Sequence, residues 1–172
     1  MAANDGYLLQ YVKEKSIGCY GIEPTASTAN AARQKGIEIV QDFLTTKLAT
    51  ELKEQGRTAD LVVAKNVLAH VPDINDFSNA CRLLMKPNGV LTCEFPHLMN
   101  LISQHQFDTI YHEHFSYLSF GSVWLGFSFA SLAVLNMDRG VPFAASVVVL
   151  GMFLAGSKKI LGSTKVVLTS SK

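Results

Sequence analysis

The stretch "ADLVVAKN", residues 59–66, decides the fold that this sequence predicts. Its central residues, 61–64, form an unbroken apolar run, which is typical of a strand buried on both faces of a sheet. The run ends at Lys65 and Asn66, so polar side chains follow directly where the strand stops. We expect such a strand to lie inside a parallel sheet.

Short apolar runs alternate with stretches of helical spacing on both sides of this strand. The predicted strands cover residues 17–23, 37–40, 59–66 and 90–95, and the predicted helices cover 7–15, 24–36, 45–56 and 73–86. Asp73 or Asn75 can cap the last of these helices, and "PNG" (87–89) is predicted to be a turn. Four alternations predict an α/β fold, an open and mostly parallel sheet with helices on both faces.

The overall composition excludes several classes of protein. At 172 residues the chain is long enough for one domain with a hydrophobic core. Its 15 basic and 14 acidic residues nearly cancel, which argues against a nucleic-acid partner. Cys19, Cys81 and Cys93 lie far apart without a CxxC pair, as expected of buried thiols in a reducing cytosol. The N-terminus lacks the pattern of a secretory signal, so we expect a cytoplasmic location.

Charge divides the chain into two unequal parts. Residues 1–120 hold 10 basic and 13 acidic residues, net −3, and all five histidines. Residues 121–172 hold 5 basic residues and 1 acidic residue, net +4, in a largely apolar sequence. We therefore expect a domain over residues 1–120 followed by a different kind of segment over 121–172.

Several polar residues follow the predicted strands, where open parallel sheets bind their ligands. They are Glu23, Asp42, Asn66, His70, Glu94 and His97. A carboxylate in the position of Glu23 can accept both hydroxyls of a ribose, although it is also typical of the first turn of a helix. Asp42 could accept an adenine amino group with Phe43 covering the ring, or Asp42 could simply be a capping residue. His97 is equally compatible with a structural role and with ligand binding.

The loop "NDG" at Asn4, Asp5 and Gly6 runs into a predicted helix. Free backbone N–H groups there, together with the missing side chain of Gly6, suit an anionic or carboxylate ligand. An ordinary turn has the same sequence, and both interpretations remain open.

A cluster of ionisable side chains stands in "IYHEHFSYLSF", residues 110–120. His112 and His114 could be two ligands of a zinc ion, but no third ligand is evident and "HEH" is not the HExxH motif. We therefore expect no metal. Histidine, whose pKa lies near neutrality, is better suited to proton transfer.

Five stretches together resemble one enzyme family. "NDGYLLQYVKEK", "GIEPT", "DLVVAKNVLAHVPDINDF", "LLMKPNGVLTCEFPHLM" and "FDTIYHEHFSYLSF" are similar to the S-adenosyl-L-methionine-dependent sugar C-methyltransferases, over residues 4–120. Members of this family methylate a carbon of nucleotide-linked deoxy-keto-sugars. The resemblance implies a Rossmann-like fold, S-adenosyl-L-methionine as cofactor and a nucleotide-sugar substrate.

The resemblance also implies roles for individual residues. Asn4, Asp5 and Gly6 would lie at the methionine end of the cofactor, with Glu23 at its ribose, Asp42 near its adenine and Asn66 at its edge. His114 matches the general base, and Tyr111 and Glu113 match its partners. His70 matches a further active-site histidine. Lys65 departs from the asparagine that the family has before Asn66.

The sequence departs from the family at both ends. The family has a cysteine-rich zinc domain and a strand ahead of "NDG", where only "MAA" stands here, so we expect the first strand to be largely missing. Beyond Phe120 the likeness fades into two apolar stretches, 121–137 and 141–157. These fit a membrane hairpin, buried core elements, or the tail of a truncated or frame-disrupted product.

Three functions remain after this reading of the sequence. The first is a sugar C-methyltransferase, which could be an inactive fragment, and the second is a cofactor- or nucleotide-binding module without catalysis. The third is a membrane-associated fragment governed by residues 121–157. An NAD-dependent enzyme is a weaker fourth, because the full GxGxxG is absent. The sequence does not indicate the oligomeric state.

Overall fold

A computed structural model describes residues 3–127, 133–136, 145–151 and 166–169 of the chain. Within these ranges the helices and strands alternate as an α/β fold, which confirms the predicted class. The elements are α1 (Leu9–Glu14), β1 (Cys19–Ile22), α2 (Ala26–Gln34), β2 (Ile39–Val40), α3 (Thr46–Glu54), β3 (Ala59–Lys65), α4 (Ile74–Leu84), β4 (Met85–Pro96), α5 (Leu98–Ser103), α6 (Phe120–Phe127), β5 (Ala133–Asn136), β6 (Ala145–Gly151) and β7 (Val166–Thr169). Short 3₁₀ turns cover Leu68–His70 and Phe107–Thr109.

The described strands form one seven-stranded sheet in the order β2-β1-β7-β3-β4-β6-β5. Five neighbouring strands run parallel to one another, in the order β2, β1, β7, β3 and β4. Strand β6 runs antiparallel to both β4 and β5. The carboxyl ends of the parallel strands therefore meet at one edge, which is where ligands bind in open sheets of this kind.

A strand from the C-terminal segment fills the central position beside β1. Each of its four residues pairs on both sides, from Val166 with Cys19 and Leu61 to Thr169 with Ile22 and Ala64. The position that the sequence led us to expect empty is thus occupied by β7.

Other parts of the apolar C-terminal segment also join the sheet. Strand β5 falls within 121–137 and β6 within 141–157, the two stretches considered for a membrane hairpin. Among the described residues, no helix combines the length and apolar character that crossing a bilayer requires. The rest of the two stretches beyond α6 lies outside the described residues.

Strand β4 begins earlier than the sequence indicated, and the predicted turn at residues 87–89 is wrong. Ala59 pairs with Met85 but Leu61 pairs with Val90, so the four intervening residues of β4 bulge within the strand. A side chain on Gly89 would place its Cβ 3.1 Å from the carbonyl oxygen of Ala59, a tight contact that favours glycine where the two strands approach closely.

Hydrophobic clusters lie on both faces of the sheet, which confirms the predicted two layers of helices. On one face, Phe77 and Leu84 of α4 and Leu48 of α3 pack against strand residues such as Leu91. On the other face, Leu9 of α1 belongs to a second cluster with Ala29 and Ala32 of α2.

The start of α4 is fixed by Asp73, as one of the two predicted caps. Its Oδ1 accepts hydrogen bonds from the backbone N–H groups of Asn75 and Asp76, both at 3.0 Å. Asp76 then accepts from the backbone N–H of Thr46, which joins the starts of α3 and α4. Both helices therefore begin side by side near the ligand-binding edge.

We expect proline at position 167 to weaken the sheet. Val167→Pro removes a backbone N–H from a strand paired on both sides, and the carbonyl left unpaired should cost about 1–3 kcal/mol in the free energy of unfolding. Urea denaturation measures the change, with Val167→Thr as a β-branched control that keeps the N–H. An unchanged midpoint in the proline variant would contradict a central position for β7.

Candidate functional site

The residues that follow the parallel strands line one edge of the sheet. Glu23 follows β1, Asp42 lies just beyond β2, and Asn66 follows β3. Two strand spacings separate β1 from β3, because β7 lies between them, and this amounts to about 10 Å. An extended small molecule could therefore span the ends of β1, β7 and β3.

Glu23 is a buried carboxylate at the centre of this edge, with a side chain only 1% exposed. Its Oε2 accepts from the backbone N–H of Asn4 at 3.1 Å, and its Oε1 accepts from the N–H of Thr25 at 3.0 Å. The hydroxyl of Thr28 donates to the same Oε1 at 3.4 Å. Glu23 thus ties the N-terminal loop to the start of α2, and remaining lone pairs can accept from a ligand.

The three loop residues Asn4, Asp5 and Gly6 make different contacts. Asn4 adopts a left-handed backbone with φ of 45° where it meets Glu23. Gly6 has φ of 76°, and a side chain there would collide with Ile37 and Ala32. Glycine therefore suits both the left-handed backbone and the close packing against these two residues, and its expected place at the cofactor stays a prediction.

The carboxylate of Asp5 is engaged on the protein surface. It forms an ion pair with Lys35, just after α2, and its Oδ1 accepts from the N–H of Tyr7 at 3.3 Å. The hydrogen bond from Lys35 holds the pKa of Asp5 below its ordinary value. The negative charge of Asp5 is consequently already balanced by the protein.

Asp42 and Asn66 both present exposed side chains at the edge. The Oδ1 of Asp42 accepts from the backbone N–H of Phe43 at 2.7 Å. Asn66 has φ of 46°, a left-handed conformation that asparagine tolerates, and its N–H donates to the carbonyl of Glu94 at 2.8 Å. Before it, Lys65 forms an ion pair with Glu94 at 3.3 Å.

An apolar cavity of about 540 Å³ opens beside these residues, between the starts of α3 and α4. Its lining consists of Phe43, Leu44, Thr45, His70, Val71, Pro72, Asp73, Asp76, Phe77 and Phe115. Phe43 and Phe115 remain 54% and 62% exposed, so two aromatic rings are available to cover a flat ligand. The two aspartates are already engaged in capping and in joining the helices.

The structure brings His70 and His114 together although 43 residues separate them. Their ring centroids lie 4.7 Å apart in an edge-on arrangement. His70 is buried, and its Nδ1 lies 3.1 Å from the carbonyl oxygen of Glu113. The Nδ1 of His114 lies 2.9 Å from the carbonyl oxygen of Thr109. A carbonyl only accepts, so Nδ1 is the protonated nitrogen of both rings, and Nε2 of each neutral ring carries a lone pair.

His114 lies among aromatic rings, and its partial burial there favours the neutral form. The rings of Tyr111 and Tyr117 lie 4.2 and 5.8 Å from its centroid. Burial lowers the pKa of His114 below 6.5, the hydrogen bond to Thr109 opposes this, and the nearby His70 adds to it. At neutral pH the group is therefore an unprotonated base with a lone pair at Nε2.

The other residues of the "YHEH" motif are more exposed. Tyr111 is 42% exposed, and His112 and Glu113 are also at the surface. The contact of Glu113 with the histidine pair is made by its backbone carbonyl. Within residues 3–123, where side chains are described, no cluster of histidine, cysteine or carboxylate side chains could hold a metal ion.

The cysteines lie away from this chemistry, as expected. Cys81 and Cys93 are buried in the core, and burial raises the pKa of the Cys93 thiol to about 12. A thiol with so high a pKa stays protonated at neutral pH, which makes it a poor nucleophile.

Two backbone carbonyls organise the site, and sequence reasoning missed both. Ala69 accepts from the N–H groups of Phe115 and Ser116 at 2.7 and 3.3 Å, which docks the histidine segment on the end of β3. Thr109 fixes the tautomer of His114. Every residue has a carbonyl, so no residue type could have marked these two. Phe115 was a detectable signal, because it is a bulky apolar residue within a polar cluster.

Comparison with known proteins identifies the family of the chain. Residues 1–91 match the family described as "Methyltransferase domain". The chain belongs to this methyltransferase family. It is also 32% identical over 147 residues to the C-methyltransferase NovU of Streptomyces niveus, which covers 86% of this chain and 35% of that protein. The chain thus spans about a third of the length of this relative.

Solved structures of other proteins share the fold of this chain. A SAM-dependent methyltransferase from Archaeoglobus fulgidus superposes with a TM-score of 0.66 at 14% identity, covering 87% of this chain and 83% of that one. The PH0226 protein from Pyrococcus horikoshii gives a TM-score of 0.65 at 13% identity, covering 87% and 78%. These likenesses support the Rossmann-like α/β fold.

The titration of His114 provides a direct test of its surroundings. We expect its ring to titrate below 6.5 in a pH series of NMR spectra, because burial and His70 disfavour the cation. The unfolded chain then binds more protons than the folded chain near this pH. The contribution of His114 to the free energy of unfolding is therefore retained above 6.5 and declines as the pH falls toward the lowered pKa. Titration at or above the value of free imidazole would contradict the geometry.

Proposed function

We propose that the chain carries the catalytic domain of an S-adenosyl-L-methionine-dependent C-methyltransferase that acts on a nucleotide-linked deoxy-keto-sugar. The observation that carries the proposal is the fixed tautomer of His114, whose lone pair at Nε2 lies beside His70 and Tyr111 at the ligand-binding edge. Such a base suits removal of a proton from carbon next to a ketone. The 32% identity to a C-methyltransferase supports the same reaction class.

The residues at the strand ends fit the proposed cofactor. The buried carboxylate of Glu23 is in the position that accepts ribose hydroxyls in sheets of this type. Asp42 can accept from the adenine amino group, and Phe43 at the mouth of the apolar cavity can cover the ring. Asn4 and Asn66 complete the edge toward the methionine end. When bound, S-adenosyl-L-methionine supplies an electrophilic methyl group on a positively charged sulfur.

The proposed reaction begins when Nε2 of His114 removes the proton next to the ketone. The electron pair of the broken C–H bond forms an enolate. Its carbon would take the methyl group as the methyl–sulfur bond breaks, with the electron pair of that bond left on the sulfur of S-adenosyl-L-homocysteine. The resulting imidazolium keeps its hydrogen bond from Nδ1 to the carbonyl of Thr109, which stabilises the cation. The proton is thus held by the protein while the new carbon–carbon bond forms.

Tyr111 is the better candidate to stabilise the enolate oxygen. Its ring lies 4.2 Å from that of His114, and its hydroxyl is a donor. The Nδ1 of His70 donates to the carbonyl of Glu113, so the tautomer set by this contact leaves Nε2 as the acceptor. His70 therefore suits a sugar hydroxyl as its partner, and Glu113 contributes the carbonyl that orients it.

Calorimetric titration with S-adenosyl-L-methionine tests the cofactor site. Glu23→Gln keeps one acceptor oxygen but loses the charge, and we expect an affinity about 10-fold weaker or worse because the ribose contact is lost. Glu51→Gln, an exposed change on α3, is the matched control and should bind as the original chain does. Equal affinity in both variants would place the ribose elsewhere.

Hydrogen–deuterium exchange of the substrate tests the base without methyl transfer. We expect the carbon-bound proton next to the ketone of a 4-keto-6-deoxy sugar nucleotide to exchange in D₂O when S-adenosyl-L-homocysteine replaces the cofactor. His114→Gln should slow this exchange by about 10²-fold or more, because the positioned lone pair is lost.

His112→Gln is the control for this exchange, because it removes a neighbouring exposed histidine from the same loop. It should exchange substrate as the original chain does. Equal loss in both variants would argue against a specific base at His114. Cofactor binding without exchange in the original chain would instead favour a binding module without catalysis.

A further inference from the structure

We propose that His97 is a positioning residue that holds the segment carrying His114 in place through a side-chain hydrogen bond. This proposal rests on the proposed function for its catalytic consequence, but its geometric content stands independently. His97 follows β4 and precedes α5, at the same edge of the sheet as Glu23 and Asn66.

The ring of His97 is buried and bonded to a distant part of the chain. It is 8% exposed, and its Nε2 accepts from the backbone N–H of Phe120 at 3.1 Å. A backbone hydrogen bond reinforces this contact, because the N–H of Leu98, the residue after His97, donates to the carbonyl of Leu118 at 2.9 Å. His97 and Leu118 also form an isolated parallel bridge.

The direction of the hydrogen bond fixes the form of the ring. A backbone N–H only donates, so Nε2 carries the lone pair and the neutral ring has its proton on Nδ1. That Nδ1 is buried and has no hydrogen-bond partner among the described residues. An apolar side chain could pack beside Phe95 without burying such a group, but it could not accept from Phe120.

Two of the contacts that attach the segment from Tyr111 to Phe120 lie on either side of Tyr117. The first is the carbonyl of Ala69 at the end of β3, which accepts from Phe115 and Ser116. The second is His97 at the end of β4, which accepts from Phe120. His114 lies just before the first attachment, and Tyr117, whose ring is 5.8 Å from it, lies between the two.

The two attachments have different physical origins. The attachment at Ala69 uses backbone groups, so side-chain substitution leaves its atoms present. The attachment at Phe120 depends on one acceptor nitrogen of one side chain. Removing that acceptor should loosen Phe120, while the backbone hydrogen bond from Leu98 to Leu118 remains. We expect the looser end of the segment to shift Tyr117 and thereby alter the surroundings of His114, while Glu23 at the end of β1 is unaffected.

A pair of substitutions separates hydrogen bonding from packing. His97→Gln offers an amide oxygen near the position of Nε2, whereas His97→Leu fills the space without an acceptor. We would measure amide hydrogen exchange at Phe120, the NMR titration of His114 and calorimetric binding of S-adenosyl-L-methionine. His105→Asn, at an exposed histidine just beyond the end of α5, is the control, because asparagine tolerates the left-handed backbone of that position, where φ is 53°.

We expect His97→Leu to speed exchange at the Phe120 amide by about 10-fold or more, because local opening is easier without the acceptor. The titration of His114 should shift in the same variant, and His97→Gln should restore both properties. In the original chain, nitrogen-detected NMR should show that the proton of the neutral His97 ring is on Nδ1.

Two results would overturn the positioning role. One is His97→Leu with unchanged Phe120 exchange and unchanged His114 titration. The other is equal change in the Gln and Leu variants, which would make the ring's shape, and not its acceptor, the important property. Calorimetric binding of S-adenosyl-L-methionine separates the two proposals. If the original chain does not bind it, the proposed function is wrong, but the measurements on His97 still test the positioning role.

Discussion

The candidate site depends on the attachment of an irregular segment to the end of the sheet. The carbonyl of Ala69, just beyond β3, accepts from two successive backbone N–H groups, those of Phe115 and Ser116. This contact brings His114 to within 4.7 Å of His70, ring centroid to ring centroid. The rigid sheet thereby fixes the position of an irregular segment, and this segment carries the proposed base, His114. Many enzymes place functional residues on irregular segments in this way.

Local sequence patterns predicted most of the first four strands and helices, because apolar periodicity reports burial directly. The same local patterns failed where pairing with a distant strand determines the structure. The four residues of β7, Val-Val-Leu-Thr, have the composition of a buried strand, but no local pattern shows that they pair with β1 and β3, more than 100 residues earlier in the chain. Residues 87–89 look like a turn but continue β4, because the partner strand accommodates a bulge.

The candidate site was predicted in kind but not in detail. The positions of Glu23, Asp42 and Asn66 at strand ends followed from the alternation of strands and helices. The ion pair of Asp5 with Lys35 and the close packing of Gly6 against Ile37 did not follow, since no local pattern shows these contacts. The tautomers of His114 and His70 depend on the carbonyls of Thr109 and Glu113, which only the folded chain brings near.

The central claim is that cofactor and base meet at the carboxyl edge of this sheet. The most direct measurement is an amide NMR map recorded while S-adenosyl-L-homocysteine is added to the isotope-labelled chain. The account predicts that the largest saturable shifts fall on Glu23, Phe43 and Asn66, with smaller shifts reaching His114. Saturable shifts confined to the opposite ends of these strands, near Gly36 and Gly56, would contradict it.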